Sequence, residues 1–130
     1  MSLSNIRNVD HTILLCSKLE ETKAFYRDVM GFPIELDRPG WVTFRVGGCL
    51  LALRPRTPGE PYVDGDGTIG SASVQLAFRV PVSAVDACHA ELVGKGVPIV
   101  RGPLDLAAAR HRAVFFRDPE NNLVEIYAEL

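Results

Sequence analysis

The sequence predicts an α+β fold made of two tandem β-α-β-β-β modules. Three observations point there. Hydrophobic periodicity alternates between two residues and about 3.6 residues, in the same order, twice along the chain. Matching residues of the two halves keep a nearly constant spacing: His11 and Gln75 are 64 apart, Ser17 and Ser83 are 66 apart, and Gly31 and Gly96 are 65 apart. A stretch rich in proline and glycine separates the halves.

The first half opens with a strand over residues 9–16, Val-Asp-His-Thr-Ile-Leu-Leu-Cys. Ser17-Lys-Leu-Glu20 has the form of a capping box. Leu19, Thr22, Phe25, Tyr26 and Val29 then fall at helical spacing, and Gly31 closes the helix. Three short strands fit residues 33–37, 41–46 and 49–54, with Pro39-Gly40 and Gly47-Gly48 as turns. Residues 55–72 hold Pro55, Pro58, Pro61, Gly59, Gly65, Gly67 and Gly70 and read as a linker.

The second half repeats the order. Residues 73–80 alternate as a strand, and Ser83-Ala-Val-Asp86 is a second cap signal. Val85, Cys88, Leu92 and Val93 lie at helical spacing before Gly94 and Gly96. Strands fit residues 99–102, 113–117 and 123–128, and residues 103–112 read as an enlarged loop. Ala52 and Glu125 are 73 apart because of that insertion. Half of a 130-residue chain is too small for a robust core, so the expectation is one domain: module 6–54, linker 55–72, module 73–129.

The totals narrow the function classes. Hydrophobic residues make up 47% of the chain, which fits a globular protein rather than a disordered one. The net charge of −2 and the lack of a basic run argue against nucleic acid. No apolar run is long enough for a bilayer, and no secretory apolar segment is evident. The three cysteines, Cys16, Cys49 and Cys88, form no Cys-x-x-Cys pair, which predicts reduced core thiols in a cytoplasmic protein.

Alternation also sorts the faces. Val74, Leu76, Phe78 and Val80 form one apolar set that a helix should cover, as do Val42, Phe44 and Val46. The opposite, open faces carry His11, Trp41, Thr43, Arg45, Arg54, Gln75, Arg79, Phe115, Glu125 and Tyr127. Two such sheets curving together would form a cleft. Glu125 stands out, because a carboxylate amid an apolar terminal strand must be solvated, paired or metal-bound. It follows a strong turn signal, Asp118-Pro119-Glu120-Asn121-Asn122, in which Asn tolerates positive φ.

Two segments carry a resemblance: Asp-His-Thr-Ile-Leu with Ala-Phe-Tyr-Arg-Asp-Val-Met-Gly-Phe (within 10–32), and Phe-Arg-Asp-Pro-Glu-Asn-Asn-Leu-Val-Glu-Ile (116–126). Through them the chain resembles the vicinal oxygen chelate superfamily of glyoxalase I, bleomycin-resistance proteins, fosfomycin-resistance transferases and extradiol dioxygenases. Asn121 stands where the family's terminal turn usually has glycine. The resemblance implies two mixed sheets curved into a cup, with metal ligands on the first and last strands of each module. Those positions are His11, Ala52, Gln75 and Glu125. Ala52 cannot ligate, and Gln75 replaces the more common histidine, though some glyoxalases use a glutamine ligand.

The implied site is thus His11, Gln75 and Glu125 around a divalent Mn, Fe, Ni or Zn ion, with Glu125 as the proton-moving group. Trp41, Arg45, Arg54, Arg79, Phe115 and Tyr127 are the candidate substrate contacts, and converging arginines would favour an anionic substrate. The implied function is that of a metal-dependent lyase, isomerase or dioxygenase. The alternative is a metal-free small-molecule or drug-binding protein, with Glu125 paired to Arg45, Arg79 or Arg54. His89 reads as a surface or interface residue. His111 reads as a solvated loop residue that a folded loop would bring toward the cleft. A homodimer follows from the resemblance alone.

Overall fold

In the computed structural model, residues 2–62, 64–65 and 74–130 are described. The chain divides into two compact units, Met1–Asp64 and Gly65–Leu130. The division falls inside the predicted linker. Residues 63 and 66–72 of that linker, and Ser73 at the predicted start of the next strand, lie outside the described residues.

The first unit contains β1 (His11–Cys16), α1 (Leu19–Ala24), β2 (Ile34–Arg38), β3 (Trp41–Val46) and β4 (Cys49–Pro55). Its sheet runs β1-β4-β3-β2. β1 lies parallel to β4, and the remaining pairs are antiparallel. The parallel pair requires a crossover, which α1 and the following strands supply. The predicted single helix is in fact two pieces. After α1 the chain widens into a π-helical turn, Phe25–Val29, closed by Met30 N–H donating to the Phe25 carbonyl at 3.1 Å. This turn seats Tyr26, which is fully buried, against Phe44 and Phe32 with ring centroids 6.2 Å away in each case. The N-cap falls at Lys18, one residue later than the capping-box reading. The Thr22 hydroxyl donates to the Lys18 carbonyl at 2.7 Å, which ties down that first turn.

The second unit contains β5 (Gln75–Arg79), α2 (Val85–Gly94), β6 (Ile99–Leu106), β7 (His111–Arg117) and β8 (Leu123–Glu129). Its sheet runs β5-β8-β7-β6, again with one parallel pair, β5 with β8. α2 packs on β6, β7 and β8. Val85 and Leu92 are buried on the helix, and Val114, Phe116, Val124 and Ile126 are buried in the sheet. The second cap signal does not cap: a 3-10 turn at Val82–Ala84 precedes the helix, and Asp86 instead accepts a bond from Arg112 Nη2 at 2.8 Å.

The largest departures from the predicted strands are the extensions of β6 and β7. β6 continues to Leu106 and β7 begins at His111, so the expected ten-residue loop shrinks to a turn. β6 is an edge strand, where Pro103 forfeits no ladder bond, and a register shift between Arg101 and Leu104 absorbs Gly102 and Pro103. Gly102 has φ +100, and a Cβ there would lie 2.5 Å from the Ala113 carbonyl oxygen, so only glycine fits.

The cysteine reading holds for Cys16, which is buried. Cys49 is exposed at the end of a hairpin turn, and Cys88 is half-buried. Burial, then the Glu91 carboxylate, raise the Cys88 thiol pKa, which keeps it protonated.

Candidate metal and substrate site

The pairing register repeats in both sheets and locates the candidate ligands. In the first unit His11 pairs with Leu50 and Ile13 with Ala52. In the second, Gln75 pairs with Leu123 and Ala77 with Glu125. His11 and Gln75 are therefore equivalent positions, as are Ala52 and Glu125. The duplication read from spacing is a duplication of backbone register.

Glu125 owes its position to the turn before it. The Asp118 side chain accepts from the backbone N–H groups of Glu120 (3.0 Å) and Asn122 (2.9 Å), and from the Asn122 side-chain amide (3.0 Å). Asn121 takes φ 69, the left-handed conformation that the sequence assigned to it. The Asn121 N–H donates to the Asp118 carbonyl at 2.9 Å. This closed turn fixes the β7–β8 register, which places Phe115 directly opposite Glu125.

The Glu125 carboxylate is buried, with 7% exposure. Its partner is neither of the arginines of the metal-free reading that lie elsewhere in the sheets nor Arg79 beside it. It is Gln75, whose Nε2 donates to Glu125 Oε1 at 2.9 Å. A carboxylate only accepts, so the amide must present its NH₂ group, and the Gln75 carbonyl oxygen is left unused by that bond. In the first unit the Asp10 Oδ2 lies 2.8 Å from His11 Nδ1, and His11 is 38% exposed.

The donor set fits a divalent cation chemically. It comprises one imidazole nitrogen with Nε2 not engaged by Asp10, one amide oxygen and one carboxylate, a mixture that borderline metals accept. Among the described residues no three His, Cys, Asp or Glu side chains cluster. The candidate set contains two residues of those types plus an amide.

The three arginines each have a carboxylate partner of their own. Arg45 forks onto Glu35 of β2, with Nη2 at 2.9 Å from both carboxylate oxygens. Arg79 Nη2 donates to Glu129 at 3.0 Å, and both are exposed. Arg54 is buried at the far end of the β3–β4 pair from Arg45. It donates to Asp64 through both Nη atoms, at 2.7 and 2.8 Å, and lies 3.7 Å from the Tyr62 ring centroid. The side-chain bond from Arg54, then the Thr57 N–H, hold the Asp64 carboxyl at about 2, below its ordinary 3.8. The predicted linker is therefore strapped to the first unit as far as Asp64.

The aromatic candidates lie on the expected strands. Trp41 is half-buried, its Nε1 donating to Thr43 Oγ1 at 2.9 Å. Tyr127 follows Glu125 by two residues on the same strand face and stacks on His111, with centroids 4.4 Å apart and planes at 29°. His111 is thus a strand residue, not the loop residue expected. The alternation His111, Ala113, Phe115 was the signal that identifies it. His89 is half-buried on α2.

Comparison with known proteins agrees with this architecture. The family model described as the Glyoxalase/Bleomycin resistance protein/Dioxygenase superfamily matches residues 8–126. A protein named metallothiol transferase FosB, from Shouchella clausii, is 26% identical over 94% of this chain and 80% of its own length. The crystal structure of a lactoylglutathione lyase from Agrobacterium tumefaciens superimposes with a TM-score of 0.75 at 26% identity, covering 93% of this chain and 92% of that one. A glyoxalase/bleomycin resistance protein/dioxygenase from Nocardioides shares the fold at TM-score 0.83, with 20% identity over 99% of this chain and 89% of that one. With the duplicated βαβββ units, their repeated register and a family match across 8–126, this chain belongs to the glyoxalase/bleomycin resistance protein/dioxygenase superfamily.

Proposed function

We propose that the protein is a metal-dependent lyase, isomerase or dioxygenase acting on a small oxygen-rich substrate, with His11, Gln75 and Glu125 as ligands of a divalent Mn, Fe, Ni or Zn ion. The observation that carries this reading is the Gln75–Glu125 pair. A buried carboxylate is held by an amide whose own oxygen remains available, at the register positions equivalent to His11 and Ala52. The similarity to a lactoylglutathione lyase and to a metallothiol transferase supports the class.

When bound, such an ion polarises a substrate oxygen or acidifies a bound water. Glu125 would take up a proton from a carbon beside a substrate carbonyl, and Gln75 would keep the carboxylate oriented for that transfer. Phe115 and Tyr127 supply apolar surface beside Glu125, and Trp41 is the aromatic substrate-contact candidate of the first unit. Arg45 and Arg79 are exposed and can exchange their carboxylates for an anionic substrate group. Arg54 is held by Asp64 and acts mainly in the fold. The reading includes a homodimer and a cytoplasmic location. No helix among the described residues is long and apolar enough to cross a membrane.

The second reading is a metal-free small-molecule or drug-binding protein. It is favoured by the fact that Gln75 already satisfies a Glu125 oxygen. Elemental analysis of protein purified without chelator separates the two. The enzyme reading expects a stoichiometric divalent metal that is lost in His11→Ala. A wild type that stays empty when offered Mn, Fe, Ni and Zn supports the binding protein. Light scattering that finds a monomer refutes the dimer.

A further inference from the structure

We propose that Asp10 is a positioning residue that sets the tautomer of His11 and so directs its Nε2 toward a divalent cation. The inference rests on the reading of His11 as a ligand. Asp10 Oδ2 lies 2.8 Å from His11 Nδ1. A carboxylate oxygen and an unprotonated ring nitrogen would oppose lone pairs at that distance, so Nδ1 carries a proton. The lone pair of the neutral ring is then on Nε2. A free imidazole of a histidine side chain prefers the opposite tautomer, so the neighbouring carboxylate reverses the choice. Orientation of a ligating histidine by a carboxylate on its other nitrogen is a general device of metal sites.

The duplication provides an internal control. The Asp10 carbonyl accepts from Leu50 N–H at 3.1 Å, which anchors residue 10 beside β4. In the second unit the Val74 carbonyl accepts from Leu123 N–H at 3.0 Å, the same bond at the equivalent position. The backbone is thus repeated while the side chain is not. Asp precedes the histidine, and valine precedes the glutamine, whose amide has no tautomer to fix. The carboxylate stands only where an imidazole follows it. Asp10 is 65% exposed, so its replacement removes no core contact.

The test uses Zn(II) alone, measured by competition with a chromogenic chelator, on wild type, Asp10→Ala and Asp10→Asn. It is paired with imidazole ¹⁵N spectra of the metal-free proteins. Asp10→Ala is expected to weaken Zn(II) binding by roughly 10- to 100-fold and to move His11 toward the Nε2-protonated tautomer. Asp10→Asn retains an accepting oxygen and is expected to recover most of both. A purely structural role would leave the tautomer unmoved. Equal Zn(II) affinity and equal spectra in wild type and Asp10→Ala overturn the role of Asp10 and leave the metal reading standing. A wild type that binds no Zn(II) in this assay, nor Mn(II) or Ni(II) when these are offered in its place, overturns the metal reading, and the role of Asp10 toward a cation with it, even where the spectra still show the Nδ1 proton.

Discussion

Replacing Gln75 with Ala removes the donor that Glu125 Oε1 accepts at 2.9 Å and leaves a buried carboxylate short of a partner. A hydrogen bond to a charged group contributes about 1.5–3 kcal/mol. Gln75 is itself exposed, so water replaces part of the lost bond and the low end applies, about 1.5 kcal/mol. For a chain of this size that corresponds to a fall of roughly 5 °C in Tm. The control is Glu125→Leu, which removes the acceptor. In that background the Gln75 side chain turns to water, and Gln75→Ala then costs about 0.5 kcal/mol or less. The cycle therefore predicts a coupling of about 1 kcal/mol. Urea unfolding of the four proteins in the presence of a chelator measures it without a contribution from bound metal. Additive single effects, or a Gln75→Ala protein as stable as wild type, would show that Gln75 does not hold the carboxylate.

Three further predictions concern the scaffold. The Asp64 carboxyl has a lower pKa folded (about 2) than its ordinary 3.8, so its contribution to stability is complete above 3.8 and is lost as pH falls through about 2. Asp64→Asn should lower Tm at neutral pH and flatten the pH dependence of Tm within that window, as read by circular dichroism. Asn121 sits at φ 69, so Asn121→Gly should change stability by less than about 0.5 kcal/mol, whereas Asn121→Val should cost about 1–2 kcal/mol in urea unfolding. Gly102→Ala forces a Cβ to 2.5 Å from the Ala113 carbonyl and should cost about 2–3 kcal/mol, visible as a lowered urea midpoint and lost amide protection in β6.

Much of the fold was legible because period-2 alternation and its interruptions are local. β3 runs over the residues that its alternation marked, and β1, β4 and β8 differ from expectation by a residue or two. The misread ends lie where tertiary packing overrides local signal. Pro103 reads as a strand breaker, yet β6 is an edge strand whose bulges accommodate it. The helix splits at Phe25 because Tyr26 must reach the aromatic core beside Phe44. The His11–Gln75 and Ala52–Glu125 equivalences were legible from spacing, since a duplicated backbone preserves register. The partners of the charged groups were not. Whether Arg54 meets Glu125 or Asp64 depends on a segment of proline and glycine whose path carries no periodicity. Likewise nothing in the order of residues says that the Gln75 amide, rather than an arginine, satisfies Glu125.

The central claim is that His11, Gln75 and Glu125 hold one divalent ion. The chain has three histidines, and only His11 belongs to that set. Electron spin-echo measurements on the Mn(II)-loaded protein, labelled with ¹⁵N at histidine, test this directly. The account predicts coupling to a single imidazole nitrogen, abolished by His11→Ala and unchanged by His89→Ala and His111→Ala. Coupling to two imidazoles, or a signal that survives His11→Ala, would contradict it.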